Sequence, residues 1–189
     1  MAEPEMQMQA PIQEIYVQPG ESHLVSEPSV MRTVLGSCVG ITFLVPRLGI
    51  GALCHPMMPS CPPAQRAGLS VRAGRRYVDF AIRDVASRLD ALGVVRSEAV
   101  IKLFGGNDVL TVNSSDSQKT IGRQNYEAAF HVLAEEGFVV AASCLGGTTG
   151  IHISFETLHG EVQLRWLDSG TSDLVLKTPR AAHRANRRR

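Results

Sequence analysis

The sequence predicts an α+β fold, and two observations lead to this prediction. Short apolar runs bounded by glycine, proline and other turn residues indicate strands towards both ends of the chain, and two segments with apolar residues at three- and four-residue steps indicate helices between them. The order is strands, helix, strand, helix and three strands, which differs from the strict strand–helix alternation of a parallel α/β fold. With 189 residues, 44% hydrophobic and 20% charged, the chain is long enough to form one globular domain.

The N-terminal half contains four predicted strands. Residues 14–17 indicate a short edge strand, and residues 22–25 indicate another. Residues 41–45 and 50–54 are apolar runs joined by the turn-like segment 46–49, and together they predict a β-hairpin. In an antiparallel hairpin, the residue before the first strand lies close to the residue after the second strand.

The remainder of the chain supplies the helices and the other strands. The helices are predicted at 74–92 and at about 123–136, and each is followed by a glycine that is typical of a helix end. The further strands are predicted at 99–104, 138–142, 151–155 and 162–166.

The two ends of the chain carry opposite charges, although the net charge is only +1. Residues 1–30 contain glutamates and no Lys or Arg, whereas residues 180–189 contain arginines and no acidic residue. We expect residues 1–12 to be a flexible tail, 13–170 the folded domain and 171–189 a basic, disordered tail. The arginines could attract nucleic acid, acidic lipid or an acidic protein, but a solvated chain end is the simpler interpretation, so no nucleic-acid partner is expected.

The sequence does not indicate a membrane-inserted or secreted protein. It contains no run of roughly 18 apolar residues, so no transmembrane helix is expected. The polar, acidic N-terminus is unlike a secretory signal. The four cysteines, Cys38, Cys54, Cys61 and Cys144, are not spaced as a disulfide framework, and we expect a cytoplasmic protein with reduced thiols.

A cysteine and a histidine lie at the open end of the predicted hairpin. Cys38 precedes the first strand and His55 follows the second, so folding should bring thiol and imidazole together. A neighbouring imidazole can take the thiol proton and later return it to a leaving group. Gly36 and Gly40 leave the backbone accessible, so N–H groups around Ser37 could bind an oxyanion. A lone cysteine among apolar residues is more often an inert core residue, and the residues alone leave both interpretations open.

The segment after His55 is rich in proline, which predicts a loop at the border of this site. Met57 could give this loop an adaptable apolar rim. Cys54 and His55 are adjacent on a strand and point to opposite faces, so together with Cys61 they do not suggest a metal site. Cys54 is predicted to lie in the core, and we expect neither a metal nor another cofactor.

Six short motifs, in the same order along the chain, are shared with a known family. They are LGSCVG at 35–40, IGALCHPM at 50–57, GRRYVD at 74–79, KLFGG at 102–106, IGRQN at 121–125 and LGG at 145–147. In these motifs the sequence resembles the CheD family, the chemoreceptor glutamine deamidases of bacterial chemotaxis.

The resemblance implies a layered sandwich of mixed β-sheets with helices packed on one face. It also implies a Cys–His–Thr triad that hydrolyses glutamine side chains of chemoreceptors (methyl-accepting chemotaxis proteins) to glutamate through a cysteine thioester, with release of ammonia. Cys38 and His55 match the first two members, Thr33 is the expected third member, and Tyr77 is expected to help line the site. The implied partners are chemoreceptors and a CheC-type phosphatase.

Three other functions are compatible with the sequence. A thiol peptidase would use the same acyl-enzyme chemistry but would cleave the chain of its substrate. A non-catalytic adaptor would bind receptors or a CheC-type phosphatase without turning them over. A nucleic-acid binder would depend on the arginine-rich C-terminal segment alone.

Overall fold

The computed structural model describes residues 12–109, 120–167 and 173–178, which form two five-stranded sheets and several helices. The strands are β1 (Gln13–Tyr16), β2 (Ser22–Val25), β3 (Ser29–Leu35), β4 (Val39–Val45), β5 (Ile50–Cys54), β6 (Val100–Gly105), β7 (Val140–Leu145), β8 (Ile151–Glu156), β9 (Val162–Trp166) and β10 (Asp173–Leu176). The helices are α1 (Pro63–Arg66), α2 (Val71–Gly74), α3 (Val78–Ala91) and α4 (Ile121–Glu135), with 3-10 turns at Pro46–Leu48 and Arg96–Glu98. Within these ranges no helix is long and apolar enough to cross a membrane.

The two sheets pack face to face, and the helices cover one of them. The outer sheet has the strand order β1-β3-β8-β9-β10 and the central sheet the order β2-β5-β4-β6-β7. Each sheet mixes parallel and antiparallel pairs. The long helices α3 and α4 pack on the face of the central sheet that is turned away from the outer sheet. The predicted α+β fold, a layered sandwich with helices on one face, is confirmed.

Strand β4 lies at the centre of this sandwich and is buried along its whole length. Its pleat sends alternate side chains to the two sides of the central sheet. Ile41 and Phe43 belong to the core shared with the helices, whereas Leu44 belongs to the core between the two sheets. Burial of a side chain of this size contributes about 1.5–3 kcal/mol, so two separate apolar layers hold the three structural layers together.

The first long helix begins later than its apolar spacing predicts. A helix is predicted over 74–92, but the structure has the single turn α2, a break, and then α3. Tyr77 at this break is extended, with φ −100° and ψ 137°. The carbonyl of Arg76 accepts hydrogen bonds from the backbone N–H groups of Met57 and Met58, at 2.8 and 3.0 Å. The loop that follows β5 therefore occupies a backbone carbonyl that a continuous helix would use for its own hydrogen bonds.

Strand β3 is absent from the sequence-based prediction, which treats its residues only as the approach to the cysteine segment. Its buried positions are Ser29, Met31, Thr33 and Leu35, so two polar side chains occupy the inward face. The exposed face in turn carries the apolar Val34. This mixture hides the apolar alternation that marks a half-buried strand. The strand places the Thr33 side chain between the two sheets.

The folded domain extends beyond its predicted C-terminal boundary. The sequence predicts a disordered tail over 171–189, but Asp173–Leu176 pairs antiparallel with β9 and forms the edge of the outer sheet. Buried Lys102 of β6 donates from Nζ to the carbonyls of Gly160 and Leu176, each at 2.8 Å. This contact ties β10 to the central sheet over a long sequence distance. Residues 179–189, and residues 1–11 of the predicted N-terminal tail, lie outside the described residues.

Helix α4 approaches the end of β6 through two glycines. A Cβ atom on Gly122 would lie 2.4 Å from the carbonyl oxygen of Gly106, which is closer than real Cβ contacts allow. Gly106 itself has φ +65°, a left-handed conformation that glycine adopts without strain. The first turn of α4 can therefore pack this closely only because Gly122 carries no side chain.

Replacement of Gly122 by alanine should destabilise the fold. The added methyl group has to push α4 away from Gly106, and overpacking of this kind costs about 1–3 kcal/mol, against about 1 kcal/mol of improved helix propensity. Urea unfolding should show a lower midpoint for Gly122→Ala. The control His131→Ala, at an exposed position of the same helix, should stay within about 0.5 kcal/mol of wild type. Equal stability of Gly122→Ala and wild type would contradict this packing.

Candidate active site

A hydrogen bond between Thr33 and His55 joins the two sheets at one end of the sandwich. Thr33 lies on β3 of the outer sheet, and His55 directly follows β5 of the central sheet. The Thr33 hydroxyl oxygen lies 2.7 Å from the carbonyl oxygen of Val17 and 2.7 Å from Nδ1 of His55. The hydroxyl has one hydrogen, which it donates to Val17. Nδ1 of His55 must therefore carry the hydrogen of the second bond.

This tautomer leaves Nε2 of His55 with a lone pair. The side chain is 1% exposed, and Nε2 is buried without a hydrogen-bond partner among the residues that the structure describes. Burial lowers the pKa of His55 below its ordinary value, and the contact of the ring with the Val17 carbonyl opposes this effect. The imidazole is therefore neutral at pH 7 and can accept a proton at Nε2.

The hairpin brings Cys38 to the same end and the same face of the central sheet as His55. Strands β4 and β5 are antiparallel neighbours, which confirms the predicted hairpin. The backbone N–H of Val39 donates to the carbonyl of Pro56 at 3.3 Å, so the pairing continues past the ends of the strands. By the alternation of the pleat, both side chains face the layer between the sheets, where Cys38 is half-buried among apolar residues.

Three consecutive carbonyl groups fix the backbone around Cys38. The carbonyl oxygens of Gly36, Ser37 and Cys38 each accept a hydrogen bond of 2.8 Å. The donors are, in that order, the backbone N–H of Asn107, the side-chain Nδ2 of Asn125 and the backbone N–H of Gly106. Because C=O and N–H of a trans peptide point in opposite directions, the N–H groups of Ser37 and Cys38 turn away from these donors.

The thiol of Cys38 is protonated at neutral pH. Burial raises its pKa above the ordinary value, and the hydrogen bond from its own backbone N–H opposes this effect. Since His55 is neutral, the resting state contains a thiol and an imidazole and no preformed ion pair. A nucleophilic Cys38 therefore requires transfer of its proton to a base during the attack.

Two further predicted site residues lie in the loop after His55 and beside it. The Met57 side chain is 40% exposed, in agreement with a place on an accessible rim. Tyr77 is buried, and its hydroxyl donates to Oε1 of Gln65 at 2.9 Å and accepts a hydrogen bond from Arg76 at 3.1 Å. These contacts anchor the loop. A role of Met57 or Tyr77 in lining the site stays a prediction.

The remaining cysteines differ from Cys38 in their surroundings. Cys54 is fully buried in the core shared with the helices, as predicted, and burial raises its pKa to about 12. Cys61 is buried and Cys144 half-buried, and all four cysteines are free thiols. Among the described residues no group of three or more His, Cys, Asp or Glu side chains is arranged to hold a metal ion.

Asn125 is the residue of this site that the sequence interpretation misses. It belongs to the IGRQN motif, but the predicted apolar stripe of this helix includes Phe130, which is 41% exposed in the structure. Ala129 and Leu133 are buried as predicted, and the other buried positions of the helix are Gly122, Asn125 and Val132. A polar residue at a buried helix position is the informative signal in such a pattern, because buried amides need specific partners.

Comparisons with known proteins identify relatives of this chain. A family model described as CheD chemotactic sensory transduction matches residues 57–166. The chain is 36% identical over 159 residues to a protein of Geobacter sulfurreducens named "Probable chemoreceptor glutamine deamidase CheD 2", and the match covers 84% of this chain and 93% of the relative.

Two further relatives give the same result. A protein of Maridesulfovibrio salexigens is 31% identical, with 86% of this chain and 96% of the relative covered. A protein of Sulfurimonas denitrificans is 32% identical, with 80% and 93% covered. Both are named "Probable chemoreceptor glutamine deamidase CheD". With more than half of its length matched by the family model and these relatives covering most of it, the chain belongs to the CheD family.

Proposed function

We propose that this protein is a chemoreceptor glutamine deamidase of bacterial chemotaxis. It hydrolyses the side-chain amide of glutamine residues in chemoreceptors to glutamate and releases ammonia. The names of its relatives support the activity and the substrate class. The observation that carries the chemistry is the hydrogen bond from His55 Nδ1 to Thr33, because it leaves Nε2 as a base on the face that also carries Cys38.

In the first step, Cys38 Sγ attacks the carbon of the glutamine carboxamide. Nε2 of His55 accepts the thiol proton as the carbon–sulfur bond forms, which separates charge inside a buried layer. The amide oxygen becomes an oxyanion, and the backbone N–H of Cys38, which points away from the held Ser37 carbonyl, can donate a hydrogen bond to it. The carbonyls of Gly36 and Ser37 are occupied on the opposite side, so this backbone is fixed before the substrate arrives.

In the second step, the protonated His55 donates its Nε2 proton to the leaving nitrogen. The carbon–nitrogen bond breaks, ammonia departs and a thioester with Cys38 remains. In the third step, His55 takes a proton from water as the water oxygen attacks the thioester carbon. The carbon–sulfur bond then breaks, the sulfur recovers its proton from His55, and the product is glutamate. Thr33 holds the same imidazole nitrogen throughout the cycle.

Each turnover converts a neutral amide of the receptor into a carboxylate. New negative charges on packed receptor helices repel one another and can shift a signalling equilibrium. The exposed side chains of Met57 and Met58 next to the site offer an adaptable apolar surface for a receptor segment. We place the activity in the cytoplasm, where thiols such as Cys38 remain reduced, and include a CheC-type phosphatase as a second partner.

Replacement of Cys38 by alanine should abolish the activity. A receptor fragment incubated with wild type should gain about 1 Da at each converted glutamine, since –NH₂ is replaced by –OH, and the acyl-enzyme requires the sulfur. Mass spectrometry of receptor peptides measures this gain. Cys144→Ala, which removes another half-buried thiol, is the matched control and should retain activity. Equal conversion by Cys38→Ala and wild type would refute the assignment of Cys38 as the nucleophile. No conversion by wild type would favour an adaptor function, and cleaved receptor chains would indicate a peptidase.

The hydroxyl of Thr33 should affect turnover and not substrate binding. Thr33→Val keeps the shape of the side chain but removes the acceptor of the His55 Nδ1 hydrogen, so the imidazole loses its fixed tautomer. We expect kcat to fall by about 10²-fold with little change in KM, on the pattern of other catalytic triads. Thr33→Ser, which retains the hydroxyl, should stay within about tenfold of wild type. A Thr33→Val enzyme with wild-type kcat would exclude this role.

The pH dependence of kcat/KM should reflect the lowered pKa of His55. Activity requires a neutral imidazole, so it is lost as the pH falls through the folded-state pKa, which burial places below the ordinary 6.5. The acid limb of the profile should therefore have its midpoint below pH 6.5. His152→Gln is the control, because the pKa of His152 is also lowered by burial but its side chain lies on the outer face of the outer sheet. An acid limb that moves in His152→Gln, or one centred above pH 6.5, would contradict the assignment.

A further inference from the structure

The side chain of Asn125 spans the two loops that carry the proposed catalytic pair. Asn125 is fully buried on α4, and its Nδ2 donates to the carbonyl of Ser37 at 2.8 Å and to the carbonyl of Met57 at 3.0 Å. Ser37 immediately precedes Cys38, and Met57 follows His55 by two residues. One amide group therefore fixes the backbone next to the thiol relative to the backbone next to the imidazole.

The orientation of this amide is fixed by its partners. Both contacts are with carbonyl oxygens, which only accept hydrogen bonds, so the nitrogen and not the oxygen of the amide must face them. The amide oxygen of Asn125 is buried and has no hydrogen-bond partner among the described residues. An unpaired buried acceptor opposes folding. It offsets part of what the two bonds of Nδ2 contribute to stability, and these two bonds to carbonyls of different loops are the feature to be explained.

The bond to Ser37 also sets the direction of a catalytic donor. Ser37 C=O and Cys38 N–H belong to the same planar trans peptide, so a carbonyl held by Asn125 turns the Cys38 N–H to the opposite side. On that side the N–H is available to the oxyanion of a substrate bound at the Cys38 sulfur. Rotation of this peptide would misdirect the N–H without moving Thr33 or His55.

We propose that Asn125 is a positioning residue for catalysis, which keeps Cys38 within reach of His55 and directs the Cys38 N–H at the reacting carbonyl oxygen. Asn125 touches neither the sulfur nor the imidazole through its own hydrogen bonds, and it acts through the Ser37 and Met57 carbonyls. The proposal rests on the proposed function, because it assumes that Cys38 and His55 act as a pair.

Alkylation of Cys38 by iodoacetamide tests the positioning without any substrate. The rate at Cys38 is followed by peptide mass spectrometry from pH 6 to 9 in wild type, His55→Ala, Asn125→Asp and Asn125→Ala. Asn125→Asp keeps the size of the side chain but replaces the donor by an acceptor. His131→Ala on the exposed face of α4 is the control. Thermal unfolding of every variant shows which proteins are folded at the temperature of the assay.

We expect Cys38 of wild type to be alkylated faster than Cys38 of His55→Ala near pH 7. In both Asn125 variants the alkylation rate should fall about tenfold, and its rate and pH profile should match those of His55→Ala. Small displacements of reacting groups have effects of this size or larger. In deamidation assays their kcat should fall further than their alkylation rate, since alkylation forms no oxyanion, while KM stays unchanged. His131→Ala should match wild type. If both variants fail to fold, Asn125→Ser keeps one donor and should show at least a threefold loss.

Two results would overturn the proposal, and only the second would also exclude the proposed deamidase function. If wild type reacts faster than His55→Ala but the Asn125 variants keep the wild-type profile and only unfold at lower temperature, Asn125 is a structural residue and the deamidase assignment is unaffected. If wild type and His55→Ala react alike over the whole pH range, Cys38 and His55 are not coupled. In that case the proposed function fails and the positioning role fails with it.

Discussion

The packing of the two sheets determines the state of His55, and the proposed chemistry depends on that state. Thr33 comes from the outer sheet and His55 from the end of a strand of the central sheet, so their hydrogen bond forms only when the sheets are in register. The Thr33 hydroxyl gives its hydrogen to Val17 and receives that of Nδ1. The same burial that strengthens this bond by lowering the local dielectric also keeps the imidazole neutral. Tertiary packing therefore selects both the tautomer and the protonation state.

The backbone around Cys38 is held through its carbonyl groups. The end of β6 and the start of α4 supply the donors for three consecutive carbonyls, and glycines allow these segments to come close. At Gly105, which has φ +89°, a Cβ atom would lie 2.5 Å from the carbonyl oxygen of Cys38. Two motifs that are far apart in sequence, KLFGG and IGRQN, thus meet beside the backbone of Cys38. Neither motif contains a predicted catalytic residue.

Local patterns predict the parts of the fold that depend on local forces. The β4–β5 hairpin follows from two apolar runs and a short turn, and it correctly brings Cys38 and His55 to one end of the sheet. The two long helices follow from their apolar spacing. The predicted start of α3 is wrong because the loop after β5 binds the carbonyl of Arg76. Strand β10 is missed because it depends on pairing with β9 and on the contact of Lys102 with the Leu176 carbonyl. Such long-range contacts leave no mark in the local pattern.

The residues of the candidate site likewise divide into those that local sequence predicts and those that it does not. Cys38 and His55 can be inferred from spacing, whereas Thr33 is suggested only by the family resemblance. The inward positions of β3 include polar residues, so its sequence lacks the apolar alternation that would predict a strand. Asn125 is not found at all, because its partners are backbone carbonyls that any residue supplies. Residue identities therefore predict which chemical groups the candidate site contains. The groups that orient them depend on backbone geometry, which becomes visible only in the folded chain.

The protonation pattern of the His55 ring is the quantity that tests the central claim most directly. It can be measured by ¹⁵N NMR of the imidazole nitrogens at pH 7, with His55→Gln used to assign the signals. We predict a protonated Nδ1 and an unprotonated Nε2 in wild type, and loss of this single tautomer in Thr33→Val. A wild-type ring with its hydrogen on Nε2, or one protonated on both nitrogens at pH 7, would contradict the proposed role of His55 as the base for Cys38.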